Sequence, residues 1–218
     1  MDVRKVAEGA EIPLDQVEYT SINFKPPKYG VAIRITREML EDAKWNLLQH
    51  NIKVAGKRFA EKETSLILTA LDGAANTVSG GAALTIANIV SAMQNLEDSD
   101  YAATTMLAGM EVCADLRQID TFVEADKMGN RDMLARGMVG IIYGMKVLKF
   151  STNAAPSTTY SKYAYVFDNS QAYAIAEKRP VTLKGFELET YDMQGAVLTQ
   201  RIQVKLLRSS AVSNITTS

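Results

Sequence analysis

Between residues 46 and 71 the apolar side chains recur at Leu48, Ile52, Ala55, Phe59, Leu66 and Ala70, at spacings of three, four and seven. That rhythm predicts one long amphipathic helix with these side chains on its core face. Gln49, Lys53, Lys57 and Glu61 form the wet stripe, and Lys57 and Glu61 are spaced for an i,i+4 ion pair. About 26 residues at roughly 1.5 Å each make a rod of about 39 Å, long for a domain of this size. Thr36 suits the cap of a short helical turn just before it, and Asp72-Gly73 ends the long helix.

Upstream the period changes to two. Over residues 16–25, Val17, Tyr19, Ser21 and Asn23 alternate with Glu18, Thr20, Ile22 and Phe24. This run and residues 31–36 predict a hairpin around Pro26-Pro27-Lys28-Tyr29-Gly30, preceded by an extended arm over residues 6–15. Neither face of the hairpin is apolar enough for a core, and an isolated two-stranded ribbon is marginal in water. It is expected to lie on a neighbour.

Downstream, residues 76–83 predict a small-residue loop and residues 86–96 a helix capped by Thr85, with Ile86, Ile89, Val90, Met93 and Leu96 buried. A strand over 104–108, a helix over 111–119 and a strand over 145–150 follow, the last entered through a tight Tyr143-Gly144 turn. Residues 122–144, rich in Met, Gly and charge, are otherwise left unassigned. A polar loop (151–161), a strand (163–167) and a short helix (170–179, stopped by Pro180) come next. Residues 181–207 alternate as two long strands with the turn at Gly195, and residues 209–218 carry no core-forming pattern. A helical early half closed by a long sheet gives an α+β class.

Composition changes this picture little. The 218 residues are 47% hydrophobic and 22% charged, which fits a globular chain and not a disordered one. The net charge of −1 exerts no global pull toward nucleic acid or membrane. No run reaches the roughly 18–20 apolar residues of a membrane span. Met1-Asp2-Val3-Arg4-Lys5 leads into charged sequence and not an apolar signal core, so folding in a cytoplasm is expected.

Catalytic motifs are missing. His50 is the only histidine and Cys113 the only cysteine, which excludes a histidine-pair zinc site and an intrachain disulfide. Gly80-Gly81-Ala82-Ala83 lacks the lysine of a phosphate loop, and no nucleophile elbow occurs. Glu97, Asp98 and Asp100 are candidates for a divalent cation, although such a run is more often a solvated turn. A small soluble enzyme with a Met-rich pocket is therefore a weak reading. No catalytic, cofactor or metal residue is assigned.

The order VAEGAEIPLDQVEYTSINFKPPKYGVAIRITREMLEDA, then a long helix ending in LILTALDG, resembles the major capsid proteins of tailed viruses. These share the Hong Kong 97-type fold with encapsulin shells. The resemblance is strongest over residues 6–73 and 181–207. It implies a structural subunit that builds an icosahedral shell around a double-stranded DNA genome. The alternative it leaves is an encapsulin-like nanocompartment holding protein cargo. It divides the chain into an arm and extended loop (E-loop, residues 1–36), a spine helix of the peripheral domain (37–84), an axial domain (85–180) and C-terminal strands returning to the peripheral domain, with a tail (181–218). The implied intersubunit contacts are Tyr19, Ile22, Phe24, Lys25, Lys28 and Tyr29 of the E-loop. The implied partners are copies of the chain in hexamers and pentamers, genomic DNA bound without sequence preference, and portal, scaffold or decoration proteins. The implied location is the virion, assembled in the host cytoplasm, with no membrane and no cofactor.

Two departures bear on this. The position matching the crosslinking lysine of some relatives is Ile12, and no asparagine stands in residues 191–197, so a non-covalent shell is expected. The arm before the E-loop is short, which suggests a processed chain or a shell closed by other means. DNA contact is expected from Arg4, Lys5, Lys53, Lys57, Arg58 and Lys62, weakly and with steep salt dependence.

Overall fold

The computed structural model describes residues 5–6, 21–43, 46–119 and 138–217, with the backbone alone at residues 138 and 139. Residues 7–20, with all of the expected arm after Val6 and with Tyr19, and residues 120–137 lie outside this set.

Strand β1 (Lys28–Thr36) leads into the short helix α1 (Arg37–Asp42), whose cap Thr36 accepts a hydrogen bond from the Met39 amide. The long helix α2 (Leu47–Leu71) follows, with the Asn46 side chain accepting from the Gln49 amide. Its 25 residues span about 37 Å at 1.5 Å each. Then come β2 (Asn76–Gly81), α3 (Ile86–Glu97), β3 (Thr105–Ala108), α4 (Met110–Leu116), β4 (Met138–Ile142), β5 (Met145–Lys149) and β6 (Tyr163–Phe167). The chain closes with β7 (Tyr173–Leu188), β8 (Met193–Leu206) and β9 (Val212–Thr217). The class is α+β.

These elements form two sheets. The six-stranded sheet runs β2-β9-β6-β3-β5-β4, with β2/β9 and β3/β5 parallel and the other pairs antiparallel. Both of its faces are covered, and β6 shows how. Ala164 and Val166 join the cluster under α3 and α4 with Ile89, Leu96, Cys113 and Ile215, while Tyr165 and Phe167 join Leu68, Leu71, Phe150 and Val212 on the other side. Strand alternation sends successive side chains to opposite faces, so one strand feeds two cores. The C-terminal end of α2 is anchored in the second of these.

The other sheet is antiparallel and three-stranded, β1-β8-β7. Helix α2 lies on one face of it, where Ala55 and Phe59 pack on Leu198 beside Tyr29 and Ile33.

Several expectations change. Residues 21–25 form no strand, and β1 pairs instead with β8, from Lys28 opposite Arg201 to Thr36 opposite Met193. Pro26 and Pro27 offer no N–H to a ladder, whereas β8 supplies a long unbroken one. The helix expected over 170–179 is the start of β7: a single turn capped by Asp168 gives way at Tyr173 to pairing with Leu206. Ladder formation with β8 overrides the helix propensity of Ala-Glu-Lys. Pro180 then falls within the register shift between Arg179 and Thr182 on an edge strand, the place a sheet tolerates proline.

The turn lies at Glu189–Tyr191, closed by Asp192 at φ 48°, and Gly195 is inside β8. Gly195 is required there because a Cβ would fall 2.3 Å from the Ile33 carbonyl oxygen and 2.6 Å from the Phe186 ring. The loop expected over 76–83 contains β2, running parallel to β9. The tail is β9 itself, with Val212, Ser213 and Ile215 fully buried. A strand covered on both faces does not alternate, which hid it.

The core face of α2 also drifts. Ala55 and Phe59 are buried as expected, but Leu68 and Leu71 replace Leu66 and Ala70, which are half-buried. Glu61 is buried and pairs with Arg58 at 2.8 Å, not with Lys57. On α3, Val90 is exposed and Ala92 takes its place.

Candidate intersubunit surface

Five of the six E-loop residues fall within the described set. Residues 21–27 run alongside β8 in the direction of β1 without a ladder, held by side chains of β8. The Arg201 guanidinium donates to the Pro26 carbonyl at 3.0 and 3.2 Å, and the Lys205 ammonium donates to the Asn23 carbonyl at 2.7 Å. The Lys25 amide donates to Gln203 Oε1 at 2.6 Å. Lys205 also lies over the half-buried Phe24 ring, 5.8 Å from its centroid. Ile22, Lys25 and Lys28 are exposed. Tyr29 turns toward its own helix, half-buried against the Ala55–Phe59–Leu198 cluster with the Lys62 ammonium 5.5 Å from its ring centroid.

Both outer strands of the three-stranded sheet, β1 and β7, present an edge that no described strand pairs. Exposed apolar side chains cluster on this layer: Val31 on β1, Val54 on α2, and Ile175, Val181 and Leu183 on β7. Unpaired edges beside exposed Val, Ile and Leu are a template for another chain.

The junction between the layers is polar and specific. Asp72, the residue capping α2, accepts from the Tyr160 hydroxyl at 3.1 Å and the Tyr165 hydroxyl at 3.2 Å. Burial first, and the Asp72 charge second, push Tyr160 up to about 12 and Tyr165 well above the usual tyrosine range. The group fixes the end of the helix to the six-stranded sheet. It was missed because Asp72 and the two tyrosines are distant in sequence.

The remaining candidates are placed as follows. Cys113 is buried in the core under α4, its thiol pushed up by desolvation, while His50 lies exposed on α2. Glu97 is the last residue of α3, Asp98 caps the helix, and Asp100 at φ 61° lies in the turn that follows. Among the described residues, no group of three His, Cys, Asp or Glu is placed to hold a metal ion. Among them too, no helix is long and apolar enough to cross a membrane.

No curated protein sequence matches this chain. A family model described as phage capsid protein matches residues 19–211. A solved structure from Microbacterium phage Oxtober96 superposes with a TM-score of 0.71 at 15% identity, covering 99% of this chain and 81% of the other. One from Mycobacterium phage Che8 gives 0.70 at 15% identity, with coverages of 87% and 70%. The mature capsid of bacteriophage PhiM1 gives 0.67 at 9% identity, with coverages of 100% and 79%. At such identities the structures attest the fold and the family match attests the kinship. Together with a long helix laid across a three-stranded sheet, they establish that the chain belongs to the phage capsid protein family, as a major capsid protein of the Hong Kong 97-type fold.

Proposed function

We propose that the subunit assembles as hexamers and pentamers into an icosahedral shell around double-stranded DNA, with the E-loop of each copy laid on the next. The observation that carries this is the half-clad layer of α2 and the β1-β8-β7 sheet. Among the described residues it has two open edges and exposed apolar side chains, whereas the six-stranded sheet is covered on both faces. In this reading the three-stranded sheet with α2 is the peripheral unit and the six-stranded sheet is the axial unit. Ile22, Phe24, Lys25 and Lys28 meet the neighbour, with Tyr19 beyond the described residues. Tyr29 acts from within, by holding the root of the loop to α2.

The role is structural and non-enzymatic, and the site of action is the virion, assembled in the host cytoplasm. DNA is held by charge without base readout, and portal, scaffold or decoration proteins are the expected additional partners. With Ile12 in place of lysine and no asparagine in residues 191–197, the shell is held without covalent crosslinks.

Electron microscopy of the purified protein, with nuclease protection of the particle contents, tests this. Closed particles holding duplex DNA of no fixed sequence, and dissolving to single subunits in denaturing gels, are the expected result. Closed particles carrying protein cargo and no nucleic acid would establish a nanocompartment instead. Deleting residues 15–22, which spares β1 and its anchor at 23–26, should leave a folded subunit that no longer closes particles.

A further inference from the structure

The three-stranded sheet has a second face that no described helix or strand covers; residues 23–26 of the same chain touch it only at the Arg201–Lys205 end of β8. Register fixes its membership. Lys28 stands opposite Arg201 and Arg34 opposite Gly195 on the β1 side, while Arg179 stands opposite Arg201 and Lys184 opposite Val197 on the β7 side. Directly paired residues of an antiparallel ladder project to the same face. With Lys205, this face therefore carries six cations: Lys28, Arg34, Arg179, Lys184, Arg201 and Lys205.

No carboxylate of the three strands shares it. Glu177 and Glu187 belong to the helix side, where the Gln200 and Gln194 amides donate to them at 3.2 and 3.0 Å. None of the six cations has a carboxylate partner among the described residues. Arg201 donates to the Pro26 carbonyl, Lys205 donates to the Asn23 carbonyl and lies over the Phe24 ring, and Lys28, Arg34 and Lys184 are exposed. Arg179 donates one N–H to Thr199 at 2.9 Å, while its Nε is buried with no partner.

The same chain carries the complement. From residue 6 to residue 24 there is no cation, and Glu8, Glu11, Asp15 and Glu18 supply four carboxylates. Eleven residues in extended form, ten steps, reach about 33 Å, the length of β8 from Gly195 to Lys205. We infer that the uncovered cationic face of the β1-β8-β7 sheet is the seat for the acidic run, residues 8–18, of a second copy of this chain. The inference rests on the reading that the E-loop joins neighbours, and it names the receiving surface and its charge code. A polypeptide fits better than a nucleic acid because the complementary charges are built into every subunit at matching length. Like charges held together on one sheet face repel until a partner arrives, which favours joining only when that partner is acidic.

The test uses the full chain in three forms. The first is Lys28→Glu with Arg34→Glu and Lys184→Glu, all exposed positions. The second is Glu8→Lys with Glu11→Lys, Asp15→Lys and Glu18→Lys. The third combines both sets. Circular dichroism checks folding, while sedimentation and electron microscopy read particle yield against protein concentration. The expected result is that each single set raises the concentration needed for particles by at least about tenfold, and that the combination restores it. Normal assembly of the first variant, with assembly still lost on deleting residues 15–22, would overturn this seat and leave the E-loop reading intact. Normal assembly of the deletion as well would remove that reading too. Normal assembly of the first variant with loss of bound DNA would assign the face to nucleic acid and overturn the inference. So would loss of assembly that the combined variant fails to restore.

Discussion

The two sheets of this subunit are built to different standards. The six-stranded sheet is clad on both faces and keeps residues such as Leu71, Met106, Val166 and Ile215 fully out of water. Among the described residues, the three-stranded sheet is clad on one face only, through a cluster of Ala55, Phe59 and Leu198, and both of its edges are open. Helix α2 joins them, its C-terminal end in the thick core and its middle on the thin one. Burial concentrates in one region, and exposed apolar side chains in the other. Local opening free energies follow that division: well-packed strands open only with the whole, poorly covered ones open on their own.

Substitutions should expose the contrast. Phe167→Ala, in the doubly covered sheet, should cost about 4–5 kcal/mol in denaturant unfolding of the free subunit, the upper part of the range for such truncations. Phe59→Ala, in the thin layer where neighbours can close on the gap, should cost about 3 kcal/mol. Equal losses would mean that the thin layer is packed as rigidly as the thick one.

Tyr165→Phe removes one bond to Asp72 at the junction while Tyr160 keeps the other, and should cost about 1 kcal/mol. The same junction gives a pH signature. Tyrosines raised in the folded state hold their protons more tightly folded than unfolded. Their contribution is complete below the ordinary tyrosine value near 10 and fades as pH climbs toward about 12 for Tyr160. A chain carrying both Tyr160→Phe and Tyr165→Phe should lose stability less steeply over that window than the parent. Identical slopes would show that the junction does not titrate with folding. At the small end, Lys57→Ala, on the exposed side of α2, should stay within about 0.5 kcal/mol of the parent.

The thin layer was the more legible in sequence, and for a physical reason. A face open to water needs polar residues opposite apolar ones, so α2 and the long strands announce themselves by period. The thick layer hides its members. β9 is buried on both sides and carries Ser213 and Asn214 where alternation would be sought, and β2 is built from Asn, Thr, Ser and Gly. Residues 170–179 misled because Ala, Glu and Lys favour a helix until β8 offers a ladder. The drift from Leu66 and Ala70 to Leu68 and Leu71 marks where α2 leaves one sheet for the other, a change of partner that a single helical stripe cannot show. Of the ribbon expected around residues 26–30, the described residues show one strand, β1, and its partner is β8. The cationic face was within reach of strand parity, but only once Gly195 was placed inside β8 and not at its end.

Hydrogen exchange followed by mass spectrometry, on the free subunit and on assembled particles, tests the division of labour most directly. The predicted result is a gain of protection on assembly concentrated in β1 and β7 and in the segment before β1, with β3, β6 and β9 already protected in the free subunit and little changed. Equal gains across both sheets, or gains confined to the six-stranded sheet, would contradict the account.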